Sequence, residues 1–115
     1  PLSVDTKCRR DDPRERYGKD DLALELWSVL EQNKPGWTWD KTKRTDYILW
    51  LFKSSGRWCL VPFPMLCAVA TRLIHQWADT YGTSIQDSDG WRSACVFVPR
   101  ETVWNALYEQ YGGVL

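Results

Sequence analysis

TDYILWLFKSSGRWCLVPF, residues 45–63, decides the fold class. Thr45 to Lys53 is crowded with aromatic and β-branched side chains, which suit a pleated, half-buried surface. Ser54, Ser55 and Gly56 interrupt the run, and Arg57 to Phe63 resumes it, so the stretch predicts two antiparallel strands joined by a short turn. From Pro64 the period changes. Leu66, Val69, Ala70, Leu73, Trp77 and Tyr81 recur at helical spacing, with Arg72, His75, Gln76 and Asp79 toward the other side and Gly82 as the stop. A hairpin followed by an amphipathic helix that can cover it predicts a mixed α and β domain.

Reading toward the C-terminus, Asp87 to Gly90 predicts a turn and Trp91 to Val98 a further strand. Pro99 then opens a second helix through Tyr111, with Val103, Trp104, Leu107 and Tyr111 as its buried stripe and Gly112 and Gly113 ending it. Toward the N-terminus, Leu2 to Cys8 alternates weakly and runs into a charged stretch holding Pro13 and Gly18. LALELWSVL at 22–30 follows, which predicts strand, charged turn, strand. A helix over Leu22 to Gln32 is the rival reading, because Leu, Ala and Glu all favour helices. Lys34 to Gly36 is a turn, and Trp37 to Arg44 a polar connection. The predicted fold class is therefore α/β (α+β), with a single small mixed sheet of about five strands flanked by two helices.

The chain has 115 residues, enough for one domain over 1–115 and too few for two separate cores. Eight Trp, five Tyr and three Phe supply large side chains for that core. Fifteen Lys and Arg balance fifteen Asp and Glu, so the whole-chain field of a strongly basic nucleic-acid binder is missing and any phosphate contact must be local. One such locality lies between Lys7 and Lys19, where Lys7, Arg9, Arg10, Arg14, Arg16 and Lys19 are interleaved with Asp11, Asp12 and Glu15 and followed by Asp20 and Asp21; a solvated hairpin explains it equally well.

Cys8, Cys59, Cys67 and Cys95 form no CxxC pair, and His75 is the single histidine, a pattern unlike a structural zinc site. Their mostly apolar surroundings suit free thiols in a reducing, cytoplasmic compartment. No apolar run is long enough to span a bilayer, the first residues show no signal-peptide pattern, and a start without Met is expected of a fragment or a processed chain.

On a strand, residues two apart share a face, so Asp5 and Lys7 project together. If the next strand pairs with theirs, Glu25 lies opposite at about 5 Å. Two carboxylates suit Mg²⁺ or Mn²⁺ completed by water, and Lys7 beside them can orient an attacking water or offset charge on a phosphoryl group. The bland alternative for Asp5 and Lys7 is an exposed ion pair of little energetic weight. For Glu25, flanked by Leu24, Leu26 and Trp27, it is a partner arginine.

SVDTK, the charged connection, LALELWS, TDYILWLF and GRWCLVPF with the helix after it resemble the restriction-endonuclease-like nucleases of the PD-(D/E)XK superfamily, in particular small phage-type members. In that family an Asp ends one strand and an acidic-x-Lys motif occupies the next, and these groups bind Mg²⁺ and cut phosphodiesters. The resemblance covers roughly residues 3 to 75 and implies Asp5 and Glu25 as metal ligands. Trp27 stands where the family's Lys would follow Glu25, and Lys7, on the face of Asp5, is the substitute. The helix that precedes the Asp strand in the family is absent from this sequence.

The implied activity is metal-dependent hydrolysis of DNA or RNA, with Asp5, Glu25 and Lys7 as catalytic residues. Arg9, Arg10, Arg14 and Lys19 would form the phosphate-facing edge, and Trp37 and Trp39 would stack on bases. The alternative is a non-catalytic module of the same fold that docks on a nucleic acid or a protein. Core packing is the competing role for the two Trp, and a strand-start turn for Asp46, otherwise an acid at the site edge. His75 lacks a nucleophile partner and reads as solvated.

Overall fold

The alternation that predicts the hairpin sorts its side chains cleanly. In the computed structural model, which describes residues 1–112, β4 (Tyr47–Phe52) buries Ile48, Trp50 and Phe52 completely and leaves Tyr47, Leu49 and Leu51 half exposed. It pairs antiparallel with β5 (Trp58–Pro62), with Trp50 opposite Cys59. Two helices follow as expected: α2 (Phe63–Tyr81) and α3 (Arg100–Tyr111). The α2 stripe is Leu66, Val69, Ala70, Ile74 and Trp77, while Tyr81 stays exposed. Val103, Ala106 and Leu107 of α3 are buried, with Trp104 and Tyr111 packed against them; Gly113 lies outside the described residues.

The class is mixed α and β, but the single five-stranded sheet gives way to two. β1 (Val4–Arg9) runs parallel to β4, making a sheet in the order β1-β4-β5. β2 (Asp21–Val29) pairs antiparallel with the two-residue β3 (Lys34–Pro35) and with β7 (Trp91–Pro99), and β6 (Ser84–Ser88) completes the order β3-β2-β7-β6. The expected turn at 87–90 is thus the tip of a hairpin whose first arm, β6, is a short edge strand with Ile85 exposed. On the core side, Leu22, Leu24 and Leu26 of β2 pack with Val96 and Val98 of β7 against the helices and against β4. The rival helix over 22–32 does not form; only Leu30–Gln32 winds into a 3₁₀ turn.

β1 and β2 are not a hairpin. Asp12 caps a five-residue helix, α1 (Pro13–Tyr17), by accepting the Arg14 N–H, and Pro13 supplies the fixed φ of a first helical position. The chain leaving β1 is also tied to the end of β4, through Lys53 N–H to the Arg9 carbonyl and Ser54 N–H to the Arg10 carbonyl. These bonds carry it away from a tight reversal, so the neighbours of β2 are β3 and β7.

Candidate active site

The period-two pattern of β1 extends to its side chains. Asp5, Lys7 and Arg9 are half-buried and share the inner face, while Val4, Thr6 and Cys8 face solvent. Lys7 Nζ lies 3.0 Å from Asp5 Oδ2, and Lys43 Nζ meets the same oxygen at 2.9 Å. Partial burial works to raise the Asp5 pKa, but hydrogen bonds and charge attraction from Lys43 and Lys7 outweigh it and hold the carboxyl below the ordinary Asp range.

Glu25 sits on the half-buried face of β2, opposite Cys95 of β7, and does not lie across a ladder from Asp5, whose register partner is Ile48. The ladder to β7 is irregular between Glu25 and Trp27, and the ladder to β3 between Trp27 and Val29. Irregularities of this kind re-aim side chains and are frequent beside active sites. Glu25 Oε1 accepts the Trp37 N–H at 3.1 Å, an N–H delivered by the 3₁₀ turn Trp37–Trp39. Gly36 makes that approach feasible: a Cβ there would stand 2.1 Å from the Glu25 carbonyl oxygen.

Trp37 is the joint between the two groups. Its N–H holds Glu25, the Lys7 ammonium lies 4.7 Å from its ring centroid, and the ring packs at 5.9 Å on Trp50. Below it, Lys7 and Arg9 line a cleft of about 240 Å³ between the two sheets, with Ala23, Trp37, Trp50 and Cys95. Cys95 has its pKa raised, by burial first and then by the Glu25 charge.

The remaining expected site residues divide. Arg9 points inward, with its guanidinium 5.3 Å from the Phe97 ring centroid and 3.9 Å from Asp21, so it does not belong to an outer phosphate-facing edge. Arg10, Arg14 and Lys19 are exposed and form no ion pair among the described residues. They lie at the far end of β1, with Arg10 about 16 Å along an extended strand from Asp5. Trp39 is half-buried: its indole N–H donates to the Leu26 carbonyl at 2.7 Å and its ring meets Trp27 and His75. Asp46 accepts the Ser3 N–H and hydroxyl, fastening the start of β1 to the start of β4. His75 is exposed against Trp27 and Trp39.

Lys43 is the site residue absent from the sequence-based expectation. It belongs to the run DKTKR at 40–44, whose three cations in four positions are the signal that points to it. Among the described residues no three His, Cys, Asp or Glu side chains converge in a ready metal cage, no cysteines are bonded to each other, and no helix is long and apolar enough to cross a membrane. No protein-family model, curated protein or solved structure matches this chain.

Proposed function

We propose that the protein is a metal-dependent nuclease of the restriction-endonuclease-like kind, hydrolysing phosphodiester bonds of DNA or RNA. The observation that carries this reading is the linkage of the two acids through one aromatic residue: Asp5 meets Lys7 and Lys43, the Lys7 ammonium lies against the Trp37 ring, and the Trp37 N–H holds Glu25 through one oxygen.

Two carboxylates from separate strands are a donor set that Mg²⁺ or Mn²⁺ accepts when water completes the shell. Such an ion would polarise the phosphate and lower the pKa of a bound water. Asp5 and Glu25 would hold it. Lys7, held between Asp5 and the Trp37 ring, is the ammonium that would orient the attacking water and offset charge on the phosphoryl oxygens. Lys7 thereby takes the position that Trp27 leaves unfilled after Glu25. Free thiols at Cys59 and Cys67, both buried, fit a reducing compartment, and we place the activity in the cytoplasm.

A second reading follows from the same ion pairs. With Lys7 and Lys43 already balancing Asp5, the site also suits a non-catalytic module that binds a nucleic acid or a protein. Incubation with Mg²⁺ or Mn²⁺ and labelled single- and double-stranded DNA and RNA separates the two. Nuclease action predicts cleavage that Glu25→Gln lowers by about 10³-fold, equivalent to about 4 kcal/mol of barrier. Binding without cleavage of any of these polymers would replace this reading with the second.

A further inference from the structure

A second hollow is larger than the cleft between the sheets. A groove of about 810 Å³ runs between the 41–46 segment and the first turns of α2. Its two walls differ in kind. One carries Lys41, Lys43 and Arg44; the other is the apolar surface of Pro64, Cys67 and Ala68. Asp46 is the acid on the lining, and its carboxylate is engaged by Ser3.

The cationic wall is built and largely unspent. Asp40 Oδ1 accepts both the N–H and the hydroxyl of Thr42, and the Asp40 carbonyl accepts the Lys43 N–H, which fixes the turn that presents the three cations. Lys41 and Arg44 are exposed and make no ion pair among the described residues. Lys43 alone is committed: its ammonium pairs with Asp5 at 2.9 Å, which ties this wall of the groove to the carboxylate at the centre of the proposed site.

We propose that this groove binds single-stranded nucleic acid, with phosphates along Lys41, Lys43 and Arg44 and bases laid over the Pro64 and Ala68 side. The proposal rests on the nuclease reading for its direction, and it names the substrate class and the track that leads to Asp5. Single strands are favoured because they offer a charged edge and an apolar edge at once, which matches one cationic wall facing one apolar wall. A duplex turns phosphates to both rims and needs cations on both. The volume also falls within the roughly 300–1,000 Å³ of pockets that enclose drug-sized ligands, a scale of a few nucleotides and not of a double helix.

Anisotropy of a labelled short oligo-dT and oligo-U, measured in EDTA so that cleavage plays no part, tests the proposal. The wild-type protein should bind one or both, more tightly than a duplex of equal length. The Lys41→Glu/Arg44→Glu variant should bind about tenfold more weakly. The neutral Lys41→Gln/Arg44→Gln variant should lower the slope of log affinity against log salt by about 1.4, at about 0.7 for each phosphate no longer neutralised. Thermal melting of both variants, at exposed positions, should match the wild type, and Arg10→Glu/Arg14→Glu should bind normally.

No binding of either oligonucleotide, equal or tighter binding of the duplex, unchanged affinity in both groove variants, or a larger loss at Arg10 and Arg14 would each overturn it. The readouts keep the two ideas apart. Groove-dependent binding without metal-dependent cleavage sinks the catalytic reading alone, whereas full cleavage by Lys41→Glu/Arg44→Glu sinks the groove alone.

Discussion

Two clusters of acids and bases stand at opposite ends of β1, and they are used differently. At the far end, Arg57 on the strand β5 side forks between Asp12 and Asp20: its Nη1 meets Asp12 Oδ2 at 2.9 Å and its Nη2 meets Asp20 Oδ1 at 3.1 Å, while Arg100 adds 3.2 Å to the same Asp20 oxygen. Two acids and two bases cancel, the Asp12 side chain is fully buried, and Ser55 and the Arg14 N–H take up its remaining capacity. At the near end Asp5 faces Lys7 and Lys43, while Lys41 and Arg44 beyond them are exposed and make no ion pair among the described residues. A closed, balanced cluster fastens α1 to β5 and α3. The near cluster leaves two of its cations, Lys41 and Arg44, exposed and unpaired among the described residues.

Breaking the closed cluster should therefore cost stability and spare the chemistry. Arg57→Met leaves the Asp12 carboxylate buried without its guanidinium, and removal of one partner from a buried pair costs about 3 kcal/mol. Chemical denaturation should show that loss. Below the new melting transition, cleavage and oligonucleotide binding should stay near wild type. A variant of normal stability would show that the Ser55 and Arg14 contacts suffice, and the contrast between the clusters would fail.

Acid should produce a smaller effect through the same residues. Burial acts to raise the Asp12 pKa, but the Ser55 hydroxyl, the Arg14 N–H and Arg57 hold it below the ordinary value, and Asp5 is lowered by Lys43 and Lys7. A folded-state pKa below the unfolded one means stability that is fully present above the unfolded Asp value, about 3.9, and lost as pH falls through the lower folded value. Asp21 works in the opposite direction, because burial raises its pKa. Melting scans should thus be flat from neutrality down to about pH 4.5 and fall steeply below it. In Arg57→Met the fall should be shallower, because without the guanidinium the Asp12 pKa moves back up toward the unfolded value and less stability is lost on protonation.

The comparison also shows why some of the molecule is legible in its sequence. Side-chain periods point to β4, β5, α2 and α3 and put Asp5 and Lys7 on one face, since each of these depends on neighbours a few residues away. What escapes such reading depends on distant partners. The run 7–19 reads as a turn on its charge, whereas Asp12-Pro13 is a helix-start signal whose cap is completed by Ser54, Ser55 and Arg57 more than forty residues on. The parallel pairing of β1 with β4, and with it the split into two sheets, has no local signature at all. Glu25 stands out as a carboxylate among apolar neighbours, but the N–H that holds it comes from a 3₁₀ turn inside a stretch that reads only as polar connection.

The central claim is that Asp5 and Glu25, carried by different sheets, hold one divalent ion beside Lys7. Anomalous diffraction from crystals grown with Mn²⁺ measures this directly. The account predicts a manganese peak at Asp5 and Glu25 that disappears in Glu25→Gln crystals. Asp5 still paired to Lys7 and Lys43 with no manganese between it and Glu25, at saturating Mn²⁺, would contradict it.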